Sequence, residues 1–369
     1  MEYRINRKTG DKISVIGLGT SYISESTERD AIEALIYAHE YGVNYADLAT
    51  AGEKTFGYYG KALGSVRKEM HYQVHFGANY ETGEYGWTTD LDTVKRSIDM
   101  QLTGLKTDYI DYGFIHCMDE ESDFADYQKN GVLQYLLDLK AQGVVRHIGA
   151  SSHTPRVAHK ILDGGFVDML MFSINPGYDY QHGEYAKGKG SERMELYRRC
   201  EAEGIGITVM KPFSGGQLLD AKTSPFGEAL SVYQCIQYAL DKPGVLAVLP
   251  GISNVEDVRQ LLGFFEVSPE EKDYSVMGSF TPQDMSGTCV YCNHCQPCPA
   301  GLDIGLINKY YDLALAGDEM ARDHYQKLSV HADACVRCGH CESRCPFHAK
   351  QESRMEEISK YFRENDNRR

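Results

Sequence analysis

Residues 145–174 read VRHIGASSHTPRVAHKILDGGFVDMLMFSI. An apolar run, Val145 to Ala150, is followed by a helical stretch, Val157 to Leu162, and then by a second apolar run, Met169 to Ile174. Apolar strands separated by a helix predict parallel pairing with both sheet faces covered. The same alternation extends outward in both directions. Upstream, strands are expected at Ile13–Leu18, Val43–Asp47, Tyr72–Phe76 and Tyr109–Ile115, with helices at Thr27–Tyr41, Tyr59–Leu63, Leu91–Leu105 and Tyr135–Ala141. The helix after Thr27 carries a capping signature, Thr27 with Asp30, and apolar residues at Ile32, Leu35, Ile36 and Ala38. Downstream come strands at Ile205–Met210 and Val245–Pro250, and helices at Glu192–Glu203, Ala229–Leu240 and Val255–Phe265. Eight such units in about 250 residues are what a closed (β/α)8 TIM barrel needs. An open doubly wound sheet is the weaker fit, because no Gly-x-Gly-x-x-Gly follows the first strand. Tyr3–Ile5 and the turn Thr9-Gly10-Asp11 read as a hairpin that plugs the barrel bottom.

Past Ser268 the alternation stops, and a cysteine-rich stretch begins. Residues 287–301 read GTCVYCNHCQPCPAG and residues 333–348 read DACVRCGHCESRCPFH. Each half holds four cysteines with a proline directly after the last: Cys289, Cys292, Cys295 and Cys298, then Cys335, Cys338, Cys341 and Cys345. Two-residue gaps let three thiolates from one turn reach one iron–sulfur cubane. The second half matches C-x2-C-x2-C-x3-C-P, and the first has one residue fewer before its last cysteine. Structural zinc is the poorer reading, since zinc sites pair cysteines across a longer loop. Disulfides need an oxidising compartment, and MEYRINRKTG lacks the apolar core of a secretory signal. Cys117, Cys200 and Cys235 read as buried or incidental. The pattern resembles the two-cluster bacterial ferredoxin. That resemblance implies crossed ligation of two [4Fe–4S] clusters, one by Cys289, Cys292, Cys295 and Cys345, the other by Cys335, Cys338, Cys341 and Cys298. The expected division is a barrel over 1–266, a linker over 267–283, a small ferredoxin-like domain over 284–349, and a closing helix and polar tail over 350–369.

Composition bounds the partners. The chain has 369 residues, 42% hydrophobic and 25% charged, which suits a soluble protein with a sizeable core. A net charge of −15 argues against nucleic acid. No apolar run reaches membrane-span length, so a cytoplasmic location is expected, where thiolate ligands stay reduced. Three loops stand out on the barrel frame: residues 78–90 with the single tryptophan, the acidic residues 117–125, and the glycine- and tyrosine-rich residues 176–190. Long loops on a tight frame carry binding and catalysis.

The phrases GLGT, GVNYADLA, TDYIDYGFIH, GVVRHIGASSH, GIGITVMKPFSGG and PGVLAVLPGISNVEDVRQLL occur in order across residues 1–266. This part resembles the aldo/keto reductases, and the whole chain resembles the branch of that family fused to two-cluster ferredoxins. The family transfers hydride from a nicotinamide cofactor to a carbonyl, using a tyrosine acid, a lysine, an aspartate and a substrate-orienting histidine. The aspartate matches Asp47 and the histidine His116. Gly52 stands where the tyrosine is expected and His75 where the lysine is expected. Imidazole titrates near neutrality, so Asp47, His75 and His116 form a candidate catalytic cluster; the bland reading is a packed polar remnant. The amide-binding pair of the family appears as Ser151-Ser152, its glutamine as Ser173, its stacking tyrosine as Met210, and its phosphate-binding arginine as Asp257. Ser214, Gly215 and Gly216, with Lys211, and Gly251, Ser253 and Asn254 remain as candidate phosphate loops.

Clusters move single electrons, whereas nicotinamide moves hydride. The expectation is therefore an oxidoreductase in which the clusters relay electrons to or from a small-molecule substrate at the barrel mouth, with FMN as the candidate intermediary and an external electron donor or acceptor protein as partner. NAD(P)H-dependent carbonyl or alcohol chemistry with structural clusters, and a non-catalytic electron carrier with an inactive barrel, are the alternatives.

Overall fold

The computed structural model describes residues 1–369 except 181–182, 184, 276, 278–286, 292, 294, 316–317, 319, 346 and 367–369. Cys292, and residues 278–283 of the expected linker, therefore lie outside the described residues. The chain opens with an antiparallel hairpin, β1 (Tyr3–Ile5) and β2 (Lys12–Ser14). Parallel strands then follow in ring order: β3 (Tyr45–Asp47), β4 (His71–Phe76), β7 (Ile110–Ile115), β8 (Val145–Ser152), β9 (Met169–Ser173), β10 (Gly206–Met210) and β11 (Val245–Val248). Between β4 and β7 lies a small hairpin of β5 (Ala78–Asn79) and β6 (Gly86–Trp87). The ring is closed by the segment after β2, where Ile16 bridges Val248, Leu18 bridges Ala46 and Gly19 bridges Gly251. The expected first strand at Ile13–Leu18 is thus split. Its start pairs with the hairpin and its end contributes bridges to the barrel, because the chain must turn from the floor into the wall.

Helices α1 (Glu28–Glu40), α2 (Lys54–Ala62), α3 (Leu91–Leu105), α5 (Val132–Ala141), α6 (Pro155–Leu162), α8 (Gly190–Ala202), α9 (Val232–Leu240) and α10 (Val255–Leu262) surround the barrel. α1 starts where expected, with Thr27 accepting a hydrogen bond from the Asp30 N–H. Its buried face is Ala31, Ala34, Leu35 and Ala38, while Ile36, expected inside, is exposed. Residues 117–125, read as a loop, instead enter α4 (Glu121–Lys129), which begins with a capping box between Glu120 and Asp123. A short α7 (Pro176–Asp179) follows β9. Inside the barrel, Tyr45, Tyr112, Phe114, Met169, Met171 and Leu246 pack together with Ile13 of the hairpin. Gly149 makes room for this layer, since a Cβ there would meet the Phe114 ring at 2.2 Å. The hairpin seals the floor: Arg4 donates to Leu240 O and Val245 O, and Asn6 Nδ2 to Asp168 O.

The C-terminal lobe contains α11 (Ile304–Leu315), α12 (Met320–Gln326), α13 (His340–Arg344) and α14 (Gln351–Asp366). It has its own apolar core, built on Leu302, Ile307, Tyr311, Tyr325, Met355, Ile358 and Phe362. It docks through Arg198 of α8, which donates to Tyr291 Oη at 2.8 Å and Asp312 Oδ2 at 3.1 Å. Arg7 pairs with Asp318 at 3.0 Å on the hairpin side. No helix among the described residues is long and apolar enough to cross a membrane.

Candidate functional site

β3, β4 and β7 end side by side, and their last residues carry the polar cluster. Asp47 closes β3, His75 is the penultimate residue of β4, and His116 follows β7. All three are buried. His75 Nε2 lies 2.7 Å from Asp47 Oδ1, and His75 Nδ1 lies 2.8 Å from His116 Nδ1. Gln73 Nε2 also donates to Asp47 Oδ1, at 3.1 Å, and the Gln73 carbonyl accepts from Tyr45 and Thr208. The structure therefore brings the three expected residues into one hydrogen-bonded row.

The row has a fourth member that sequence reasoning missed. Tyr85, in the β5–β6 hairpin, places its hydroxyl 2.8 Å from His116 Nε2. Trp87 Nε1 donates to His116 O at 3.2 Å, fastening the hairpin over the histidine. Residues 78–90 stood out for length, but nothing in their pattern distinguished Tyr85 from its neighbours. Tyr58 and Tyr59 lie in α2, buried in the outer core, away from the row.

Hydrogen positions follow from the donors. With Asp47 accepting from His75 Nε2–H, His75 Nδ1 must accept from His116 Nδ1–H, and His116 Nε2 must accept from Tyr85 O–H. Burial, ahead of the neighbouring His75 and His153, holds the His116 pKa well below its usual value, so its ring stays neutral. Burial of Tyr85, ahead of Cys117, Tyr185 and Asp119, raises the phenol pKa. The arrangement is a continuous hydrogen-bonded row from Tyr85 to Asp47.

This row faces an open cavity of about 740 Å³, also lined by Lys54, Cys117, Ser151, His153, Met171, Tyr185, Met210 and Lys211. Its size suits a small substrate. Cys117, read as buried or incidental, lines it, whereas Cys200 and Cys235 are core residues. Burial first, then the Asp119 charge, pushes the Cys117 thiol up to about 12. Asp119 is half-buried; burial raises its pKa, but the hydrogen bond and charge of His153 bring it net below the usual carboxylate value.

The candidate cofactor residues are largely engaged within the protein. Ser151 Oγ accepts from the Cys117 N–H at 2.7 Å, and Ser152 Oγ accepts from the Thr154 N–H at 3.0 Å. Asn254 caps α10 by accepting from Glu256 N–H and Asp257 N–H, while Asp257 Oδ2 takes the Ser253 N–H at 2.7 Å. Tyr22 covers Gly251, where a Cβ would meet its ring at 2.5 Å. In the other loop, the Ser214 and Gly216 N–H groups bond back to Lys211 O and Phe213 O, and Gly215 takes a left-handed turn. Lys211 Nζ stands 3.2 Å over the Tyr185 ring. At the head of α10 a carboxylate, Asp257, takes the Ser253 N–H that a phosphate would need, so that loop does not fit a cofactor phosphate.

The cysteine lobe does fit its group. Cys298, Cys335, Cys338 and Cys341 line one enclosed cavity between the two motifs. These are the four residues grouped by crossed ligation. Cys289 is buried in the core shared with the barrel, and Cys345 packs against that core. Gly287 N–H donates to Phe347 O at 2.6 Å, joining their segments, and Cys345 Sγ accepts from the Ala349 N–H at 3.4 Å. Phe347 and Val290, next to these cysteines, share a small enclosed space with Asp179, Tyr180 and Tyr238. Phe347 packs against Tyr180 at 5.9 Å, and two residues earlier in the same segment Tyr178 stands 6.4 Å from Tyr185, which in turn lies 4.6 Å from His153 at the mouth.

Comparison with known proteins agrees with both parts. Residues 15–229 match the model of the aldo/keto reductase family, and residues 328–351 match that of a 4Fe-4S binding domain. Over 292 residues the chain is 26% identical to L-galactose dehydrogenase of Arabidopsis thaliana, covering 70% of this chain and 86% of that protein. It is 25% identical to the uncharacterized oxidoreductase YqkF of Bacillus subtilis, covering 74% and 94%. Among solved structures, aldo-keto reductase AKR11C1 from Bacillus halodurans, in its holo form, superposes with a TM-score of 0.61 at 22% identity, covering 74% and 94%. At that identity the likeness establishes the fold alone.

Proposed function

The chain belongs to the aldo/keto reductase family and carries a 4Fe-4S binding domain, and from that premise we propose an oxidoreductase whose barrel-mouth site exchanges electrons with two [4Fe–4S] clusters in the C-terminal lobe. The observation that carries this reading is the packing of Phe347 and Val290, neighbours of cluster cysteines, on the α7 loop whose tyrosines lead to the mouth. When bound, a [4Fe–4S] cluster supplies one-electron transfer. Cys289, Cys292, Cys295 and Cys345 would hold one cluster, and Cys298, Cys335, Cys338 and Cys341 the other.

The remaining chemistry belongs to the chain. Tyr85 presents oxygen lone pairs to the cavity while its proton rests against His116 Nε2. A substrate hydroxyl would give its proton to Tyr85 oxygen. The Tyr85 proton would move to His116 Nε2, the His116 Nδ1 proton to His75 Nδ1, and the His75 Nε2 proton to Asp47 Oδ1. Run backwards, the same shifts return that proton to the substrate oxygen. The row moves the O–H proton alone; oxidation of an alcohol would further require its carbon-bound hydrogen to leave as a proton to the open cavity and its two electrons to pass one to each cluster. Neither imidazole becomes charged, which suits a buried row where charging would be costly. The substrate class that fits is a small alcohol or carbonyl compound. No step is assigned to FMN or NAD(P)H, because the N–H groups at the head of α10 that a phosphate would need are already engaged.

The test is anaerobic reconstitution, electron paramagnetic resonance to count clusters, and turnover of a panel of small aldehydes, ketones and alcohols with a viologen dye. Dye-linked turnover that disappears with the clusters is expected. Tight NADPH binding, with carbonyl reduction unaffected by cluster removal, would overturn the reading in favour of ordinary hydride chemistry.

A further inference from the structure

Beside the proton row lies a second group of side chains that neither the family chemistry nor the clusters use. Cys117 follows β7 in a left-handed conformation, φ 51°, and its N–H is held by Ser151 Oγ at 2.7 Å. His153 follows β8 and is 5% exposed. Asp119 joins them. Its Oδ1 accepts the His153 N–H at 2.6 Å, its Oδ2 accepts from His153 Nδ1 at 2.9 Å, and Cys117 Sγ lies 3.9 Å from Oδ2. One ligand atom from each of the three lies within 4.8 Å of the other two. His153 Nε2 is buried without a hydrogen-bond partner among the described residues. The ring nitrogen that faces the other two donors is Nδ1, 2.9 Å from Asp119 Oδ2, so a metal would replace the Nδ1 proton, and the ring proton would sit on Nε2.

We propose that Cys117, Asp119 and His153 form a site for one divalent cation of the zinc type at the barrel mouth. Thiol, imidazole and carboxylate are the donor set zinc accepts, and three protein ligands leave a position open to the cavity. Ser151 and Ser152 then act as positioning residues, since Ser151 holds the Cys117 backbone and Ser152 Oγ approaches Asp119 Oδ1 at 3.5 Å. A left-handed Cys117 is explained as the backbone turn that points its thiol along the cavity wall. None of the three residues belongs to the cysteine motifs of the C-terminal lobe, and the site requires no assumption about electron transfer.

The experiment uses the full chain with its iron–sulfur content restored under argon. It is equilibrated with zinc sulfate, freed of loose metal, and analysed for zinc and iron by mass spectrometry and by zinc-edge X-ray absorption. One zinc per chain is expected with iron undiminished, and with a single sulfur among nitrogen and oxygen neighbours. Cys117→Ser should remove the sulfur neighbour, and His153→Gln should weaken zinc binding at least tenfold, while iron content and circular dichroism stay at wild-type values. If one variant does not fold, the other still decides. Absence of retained zinc, a four-sulfur zinc shell gained at the expense of iron, or zinc binding indifferent to a folded variant would overturn the proposal.

Discussion

Replacing Arg193 with methionine tests how the mouth loop is held. Arg193 is fully buried in α8. Its Nε donates to Asp179 Oδ1 at 2.7 Å, Nη1 to Lys187 O at 3.3 Å, and Nη2 to Ser173 O at the end of β9. Asp179 also accepts from Tyr197 Oη at 2.7 Å and Tyr238 Oη at 2.9 Å. Arg193→Met leaves that buried carboxylate with two neutral donors and no counter-charge. Breaking a buried pair in this way costs about 3–5 kcal/mol, a large share of the roughly 5–15 kcal/mol that stabilises a typical domain. With a urea dependence of about 3 kcal/mol per molar, the unfolding midpoint should fall by about 1–1.7 M. Circular dichroism of cluster-loaded protein under argon reads this directly. The double variant Arg193→Met/Asp179→Asn removes the orphaned charge and keeps an amide oxygen for the tyrosines, so it should recover much of the loss. A midpoint shift below about 0.3 M, or a double variant no more stable than the single, would refute the argument that charge pairing holds α7 onto α8 and α9.

Tyr85→Phe should lower turnover by about 10²-fold or more, the usual contribution of a positioned acid–base group, with little change in cluster signals; an unchanged rate would remove Tyr85 from the proton path. Cys341→Ser should cost about half the bound iron, measured by mass spectrometry, and preferential loss of Cys289-side features instead would contradict crossed ligation. Because burial depresses the His116 pKa in the fold, the unfolded chain binds more protons below about pH 6.5. Stability on this account is complete above that pH and falls on acidification. His116→Gln should flatten the slope of stability against pH between about 6.5 and 5, and an unaltered slope would count against a neutral buried ring. Asp257→Ala frees the Ser253 N–H from its internal acceptor. A hydrogen bond to a charged acceptor is worth about 1.5–3 kcal/mol, so NADPH should bind about tenfold tighter or better, checked by fluorescence titration.

The barrel and the 4Fe-4S binding domain were legible in the linear chain because both depend on local spacing. Burial on both faces makes strands apolar, helices alternate with them, and three thiolates of one cubane come from a single turn with two residues between successive cysteines. The row Asp47, His75 and His116 was also readable, since each residue lies at or next to the end of its strand and barrel strands end on one face. Small packing choices were less visible: Ile36 is exposed and Ala31 and Ala34 are buried because the α1 stripe is set by what α10 and α2 press against.

Tertiary structure alone decided the rest. Tyr85 reaches His116 across 31 residues because a two-strand hairpin folds back over the mouth. Asp257 fills its own anion cradle, a fact that hinges on one side-chain direction at the head of α10. Cys117 and His153 meet around Asp119 because β7 and β8 are neighbours in the ring, 34 residues apart from carboxylate to imidazole. Period and spacing report how a residue sits on its own element; which side chains converge from different elements is settled only when the barrel closes.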